Sequence, residues 1–451
     1  MSTPPPTQAL DLDLSRLPLP PGSEGYPLLG ETLSFLRAPR RFVRERQARH
    51  GNVFRTYLFG SPTVYMVGSE AARWVFAGEN KYLRVRWSAG TQAVLPTRSL
   101  MGLTGEAHQA RRRLLVPHFT PTSVREAVPR IQAIALRHLA RWAERPGPLT
   151  VHSAMGSLVF EVALSLILSD AHVDTERASH LFKTWTKGLF TVVPWDVPFT
   201  THGRSLAAKR ELLSLLDSLV AERTQRAEQP QDILGSLLAV RDEEGRPLSR
   251  EVVLDETLLQ LLAGHDTTMN SLVNMVYLLA QHPEVRERCR EEQRGASLEE
   301  PLTLESLRAL PYLHQFIQEA LRLHPPAGGV SRVTTQDVEF GGYRIPQGWS
   351  IMLGISGTQR MEPWTEPERF DPDRMGPERA EQRRQPHCHI PFGGGARVCI
   401  GQHFAMAEIG IILSLLLRGY RFELVPGQDL EFTSIPFPHP RSGVVVAFSR
   451  R

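Results

Sequence analysis

Ten residues near the C-terminal end, Phe392-Gly-Gly-Gly-Ala-Arg397-Val-Cys399-Ile-Gly401, constrain this chain more than any other stretch. One cysteine sits in a glycine-rich turn, with an arginine two residues before it and a glycine two residues after. The apolar run Phe404 to Leu417 follows and reads as a helix. Free N–H groups and the dipole at a helix N-terminus stabilise a thiolate, which makes Cys399 a good anionic metal ligand. The glycines let the backbone approach a flat body closely, and Arg397 would meet a negative charge on it. A flat, anionic, iron-bearing group held by one thiolate is haem with a cysteine axial ligand. A lone cysteine in such a turn is more often buried and unligated, so the rest of the chain must decide.

Phe392, Gly395, Arg397, Cys399 and Gly401 fit the pattern F-x-x-G-x-R-x-C-x-G, and Phe404, Ala405 and Glu408 extend it into the next helix. In these positions the chain resembles the cytochrome P450 family. The resemblance implies a mainly α fold with small β-sheets (α+β), in which haem lies between a long central helix and the C-terminal cysteine loop. It implies haem b (iron protoporphyrin IX) as cofactor, Cys399 as its axial thiolate and metal ligand, and Phe392 and Arg397 as further cofactor contacts. Residues 1–25 read as a proline-rich N-terminal segment and 26–451 as a single domain of this family.

Four further motifs agree. His108 and Arg112 are four apart and share one helix face. An arginine run such as Arg111-Arg112-Arg113 is by itself more often a solvated face. The resemblance implies that His108 and Arg112 bind the haem propionates, with Arg332 of Ala327-Gly-Gly-Val-Ser-Arg332 as a third contact. Arg111 and Arg113 would then face a redox partner.

A helical pattern runs from Arg250 to Gln281, capped by Ser249 and ended by His282-Pro283. At 1.5 Å per residue it spans roughly 48 Å, enough to cross the molecule. Its middle, Ala263-Gly-His-Asp266-Thr267-Thr268, is polar in an otherwise apolar helix. Gly264 there costs about 1 kcal/mol relative to alanine, and Thr267 can bond back to a carbonyl four residues earlier. A kink with a satisfied Asp and Thr is the bland alternative. The segment is similar to the family's A-G-x-D/E-T-T, which implies that Asp266 and Thr267 are the catalytic acid–alcohol pair supplying protons for dioxygen activation.

Glu319 and Arg322 are three apart on one helix face. They match the family's E-x-x-R, which implies a structural triad completed by Arg369 of Pro367-Glu-Arg369-Phe370. The resemblance also implies substrate-pocket positions at Trp87, Ala263, Val330 and Ile435. Trp87 lies in 84–104, which has no clear periodicity and reads as a long loop. The aromatic stretch Phe182, Trp185, Phe190 and Trp195 is core, lid or both. In His387-Cys388-His389 three consecutive residues cannot all face one ion, so no zinc site is expected.

At 451 residues, with a net charge of +4, the chain carries too little excess charge for its length to suggest nucleic acid. Three cysteines cannot build a disulfide framework, and a reducing cytosol fits them. No stretch approaches the eighteen or so apolar residues of a membrane span. No anchor precedes the hinge-like Pro18-Leu-Pro-Pro21, so the expectation is a soluble, cytoplasmic, bacterial-type protein, and a monomer. The resemblance implies a monooxygenase that draws electrons from a separate partner, since no flavin or iron–sulfur domain is fused. An acidic ferredoxin or flavodoxin would suit Arg111, Arg113, Arg383 and Arg384. A peroxide-driven peroxygenase or a non-catalytic haem-thiolate binder is the alternative, and neither has a use for Asp266 and Thr267.

Within the family the chain is similar to the retinoic-acid hydroxylase branch of animals and cyanobacteria. The similar stretches are Pro21-Gly-Ser-Glu-Gly-Tyr-Pro-Leu-Leu-Gly-Glu31, Trp87, Pro325-Pro-Ala-Gly-Gly329 and Gln336-Asp-x-x-Phe340-x-Gly342. Val330-Ser331 departs from that branch, which has a glycine and an aromatic residue there. The expected substrate is therefore an elongated apolar small molecule: retinoid-like, a fatty acid, a terpenoid or a polyketide.

Overall fold

The computed structural model describes residues 13–26, 30–169, 173–191, 194–226, 232–242, 244–296, 301–433 and 437–451. The chain is mainly helical, with a five-stranded, a three-stranded and a two-stranded sheet among the described residues. Helix Arg250–Gln281 has the predicted bounds, and the Ser249 hydroxyl accepts from the Val252 N–H at 3.4 Å. It is buried on nearly every side, and its buried polar residues, such as Asp255, Glu256 and Asn270, take hydrogen bonds inside the protein. It packs along helix Val151–Ile167 and against Pro311–Leu323 and Gln402–Gly419. One core joins these helices through Leu158, Leu272, Phe316 and Ile412, all at most 1% exposed. Burying each such side chain contributes about 1.5–3 kcal/mol.

The helix expected from Phe35 to His50 is two helices, Thr32–Arg37 and Pro39–His50. Pro39 has no N–H and keeps Ala38 out of the helical conformation, which breaks the run. The expected hairpin is present as β1 (Val53–Leu58) and β2 (Ser61–Met66). Its turn is Phe59-Gly60, both at positive φ, so Ser61 and Pro62 belong to β2 rather than to the turn. With β3 (Leu83–Arg84), β4 (Gly329–Thr334) and β5 (Ser350–Gly354), they form a sheet ordered β1-β2-β5-β4-β3. Only β2 and β5 run parallel, with Thr63 opposite Ser350. Segment 84–104 contains a short helix, Ala89–Val94. Its later part is tied to the central helix, with the Arg98 and Leu100 N–H groups donating to Asp255 and Glu256 at 2.8 and 3.0 Å.

Behind the cysteine loop lies a buried charge cluster. Arg322 meets Glu319 at 2.6 and 2.9 Å, and both side chains are fully buried. The cluster's second arginine is Arg374, not Arg369. Arg374 donates to Glu319 at 3.1 Å and to Glu381 at 2.9 Å, again fully buried. The Arg369 side chain is 65% exposed and pairs with Glu366. Only its backbone carbonyl enters the cluster, accepting from Arg322 and Arg374 at 3.3 and 3.0 Å. The 3₁₀ turn Pro372–Met375 directs Arg374 inward. No helix among the described residues is long and apolar enough to cross a membrane.

Candidate active site

The cysteine loop is a tight turn against helix Ser69–Gly78. Gly393 and Gly395 have φ of 71° and 63°, and a Cβ on Gly394 would fall 2.5 Å from the Phe76 ring. The Cys399 N–H donates to the Phe392 carbonyl at 2.9 Å, which closes the loop. Gly401 then caps helix Gln402–Gly419. Of the three cysteines, Cys289 and Cys388 are buried, whereas the Cys399 thiol opens into a cavity of about 1250 Å³. Desolvation by the surrounding protein pushes the thiol pKa up, against the Gly401 N–H and Arg112, which pull it down. The helix terminus alone therefore does not make the expected thiolate; a coordinated metal cation does so outright.

A basic wall lines the same cavity. His108, Arg112, Arg332 and Arg397 all face it. Arg397 is held by Glu79 at 2.7 Å, and Arg332 pairs with the other oxygen of that carboxylate. Arg112 has no hydrogen-bond or ion-pair partner among the described residues. Three guanidiniums thus stand on this wall against one carboxylate, which pairs with two of them. Burial first, then Arg397 and Arg112, hold the His108 pKa down at about 4, so the ring is neutral. Its buried Nδ1 has no hydrogen-bond partner. Glu79 carries no spacing signal in the sequence and was missed there. Arg111 does not face outward as expected: it pairs with buried Glu256 at 2.7 Å and is 14% exposed. Arg383 and Arg384 are exposed.

On the opposite side the central helix is unbroken through Ala263–Thr268. Ala263 lines the cavity, and a Cβ on Gly264 would meet nothing within 4 Å. The Thr267 hydroxyl donates to the Ala263 carbonyl at 2.7 Å, the back-bond its spacing predicts. That leaves its lone pairs as acceptors. The Asp266 carboxyl turns to His265, 2.6 Å from Nδ1. Trp87 and Val330 line the cavity. Ile435 lies outside the described residues. Phe182 and Trp185 are buried and Trp195 is 66% exposed. His389 turns to the Gln318 carbonyl, and the Cys388 thiol to the carbonyls of Glu381 and Gln382.

These residues fit a haem. The cavity exceeds the roughly 300–1,000 Å³ of a single small-ligand site, which leaves room for a flat cofactor and a second molecule. Its basic wall exceeds its carboxylates by two charges and holds an unpaired imidazole nitrogen, as two propionates require. The single accessible thiol opens into the same space.

The family model for cytochrome P450 matches residues 20–446. A Synechocystis protein described as putative cytochrome P450 120 is 36% identical over 96% of this chain and 97% of its own. Human cytochrome P450 26C1 is 32% identical over 96% of this chain and 89% of its own. The solved structure of retinoic acid-bound cyanobacterial CYP120A1 superposes with a TM-score of 0.92 at 35% identity, over 96% of this chain and 100% of that one. The chain belongs to the cytochrome P450 family and is a haem monooxygenase, its cofactor held by an axial cysteine thiolate.

Proposed function

We propose that this P450 hydroxylates an elongated, largely apolar acid of retinoid type, with electrons delivered by a separate ferredoxin or flavodoxin. The observation that carries the reading is the cavity itself. One continuous space is lined by Cys399 and Ala263, by apolar side chains such as Leu100, Leu259, Val330 and Met352, and by Arg86. Arg86 donates to the Ser61 hydroxyl at 2.9 Å and has no carboxylate partner among the described residues, so it is placed to meet an acid group. The likeness to a retinoic acid-bound structure supports the same substrate class.

Cys399 would hold the iron, and His108, Arg112, Arg332 and Arg397 would hold the propionates, with Glu79 fixing two of the arginines. Bound haem supplies the activation of dioxygen and the transfer of one oxygen atom to a C–H bond. Thr267, one turn beyond the cavity-lining Ala263, keeps its own hydrogen on the Ala263 carbonyl and would offer its lone pairs to a proton donor there. Asp266, one residue away, is the proton source. Trp87 and Val330 shape the substrate end. A small acidic electron donor would meet the exposed Arg383 and Arg384.

Titrating the ferric protein with all-trans-retinoic acid is expected to give a saturable shift toward high spin at low micromolar concentration. Retinol matches the length without the charge and is expected to bind about tenfold more weakly, as one charge-assisted hydrogen bond predicts. In Arg86→Gln that difference is expected to vanish. A shift only with fatty acids or terpenoids, or none, would sink the substrate reading and leave the family intact.

A further inference from the structure

His265 stands inside the distal motif and has no part in the roles assigned so far. It is 2% exposed, edge-on to Phe182 and Phe160 with ring centroids 4.8 and 5.7 Å away. Its Nε2 lies 3.0 Å from the Gly156 carbonyl oxygen of helix Val151–Ile167. Its Nδ1 lies 2.6 Å from Asp266 Oδ1. A carbonyl can only accept, so Nε2 carries a hydrogen. A bare Nδ1 and a carboxylate oxygen are both acceptors and would repel at 2.6 Å, so a proton lies between them as well. The pair therefore holds one proton more than a neutral imidazole beside a carboxylate, whichever atom it sits closer to.

We propose that His265 is a positioning residue for proton delivery: it ties Asp266 to helix Val151–Ile167 and shares with it the proton that Asp266 gives up during turnover. This rests on the reading of Asp266 and Thr267 as the proton-delivering pair. When Asp266 gives up the proton, a carboxylate and an imidazole protonated on Nε2 remain. A proton from solvent restores the pair. Asn270 Nδ2 donates to the Asp266 backbone carbonyl at 2.7 Å and keeps the turn in place while the carboxyl changes charge.

His152 is electrostatically coupled to the pair, and His439 and Lys183 act on His152 in turn. His152 lies one turn before Gly156 on the same helix, and its ring is 4.5 Å from that of His439. Asp266, His265 and Lys183 all act on the charge of His152. A purely structural His265 would need only to fill its aromatic slot and reach Gly156. The hydrogen bond to Asp266 is the part that such a role leaves unexplained.

Two variants separate the readings. Asparagine places an amide N–H where Nδ1 was, so His265→Asn keeps a donor to Asp266 but has no transferable proton. His265→Gln keeps reach to Gly156 and loses Asp266. With NADPH, surrogate ferredoxin partners and all-trans-retinoic acid as the probe, both are expected to keep haem content and the substrate-induced spin shift. Peroxide released per NADPH is expected to rise and kcat to fall about tenfold or more at unchanged KM, and the pH profile is expected to lose the limb the pair contributes. Coupling and pH profile equal to the parent in both variants would overturn the proposal. Asp266→Asn tests the underlying reading separately: if it too were unchanged, the proton-delivery assignment itself would fail. Independently of turnover, ¹⁵N-histidine-labelled protein in its diamagnetic ferrous carbon monoxide form is expected to show a strongly deshielded bridging proton that disappears in Asp266→Asn. Its absence from the parent protein would overturn the shared proton even if the His265 variants bind no haem.

Discussion

Arg374→Ala is expected to destabilise the protein by about 3–5 kcal/mol, and bound haem is expected to be lost with it. Arg369→Ala is expected to change stability by less than about 0.5 kcal/mol. The contrast follows from where the two charges sit. Arg374 is fully buried and satisfies two buried carboxylates, Glu319 and Glu381. Without it, Glu319 keeps Arg322, but Glu381 keeps only Thr365 and the partly exposed Arg379. Arg369 leaves nothing buried behind, because its side chain pairs with Glu366 in solvent and its carbonyl survives the substitution. Haem retention follows because the cluster is wired to the cysteine loop. Arg322 donates to the Gln359 carbonyl at 2.9 Å, and the Gln359 side chain accepts from the Ile390 N–H at 2.8 Å, two residues before Phe392. Arg322→Ala is expected to resemble Arg374→Ala for the same reason. Denaturant melts and the ratio of haem to protein absorbance measure both effects. A greater loss in Arg369→Ala than in Arg374→Ala would sink the assignment.

The two arginines also show what the sequence can and cannot carry. The chain has two successive P-x-R stretches, Pro367-Glu-Arg369 and Pro372-Asp-Arg374, and the spacing cannot rank them. The choice is made by the 3₁₀ turn at Pro372 and by the distance across to helix Pro311–Leu323, which are tertiary facts. Features confined to one element were legible. The Cys399 turn, the Thr267 back-bond, the Glu319–Arg322 pair and the bounds of helix Arg250–Gln281 depend on residues within a few positions of one another. Features that join distant segments were not. Glu79 meets Arg332 and Arg397 from 253 and 318 residues away, and Arg111 was read as outward-facing because its partner, Glu256, lies 145 residues on. His265 was visible in its motif, but its partner in helix Val151–Ile167 is a backbone carbonyl, and a carbonyl has no signature in sequence.

Cys399→Ala is expected to abolish monooxygenase turnover while leaving the chain folded. The side chain faces the cavity and contributes nothing to the hydrophobic core, and alanine tolerates the conformation of a residue whose backbone φ is not left-handed. What is lost is the only thiol placed to reach the cavity. Cys289 is buried, with its thiol pushed up to about 12 by desolvation, and Cys388 is buried against the carbonyls of Glu381 and Gln382. Neither can swing to the iron without unpacking its surroundings. The ferrous carbon monoxide complex reports the ligand directly, because a thiolate shifts its main absorption band to longer wavelength than an imidazole or water does. Cys289→Ala and Cys388→Ala are expected to keep that band, with some loss of stability. Cys399→Ala is expected to lack it, even if the four basic side chains on the cavity wall still retain part of the haem through its propionates. Retention without the band would divide the labour of the site: His108, Arg112, Arg332 and Arg397 account for holding the cofactor, and Cys399 for its chemistry. A Cys399→Ala protein that kept the thiolate band would place the ligand elsewhere, and the roles drawn from this cavity would fall with it.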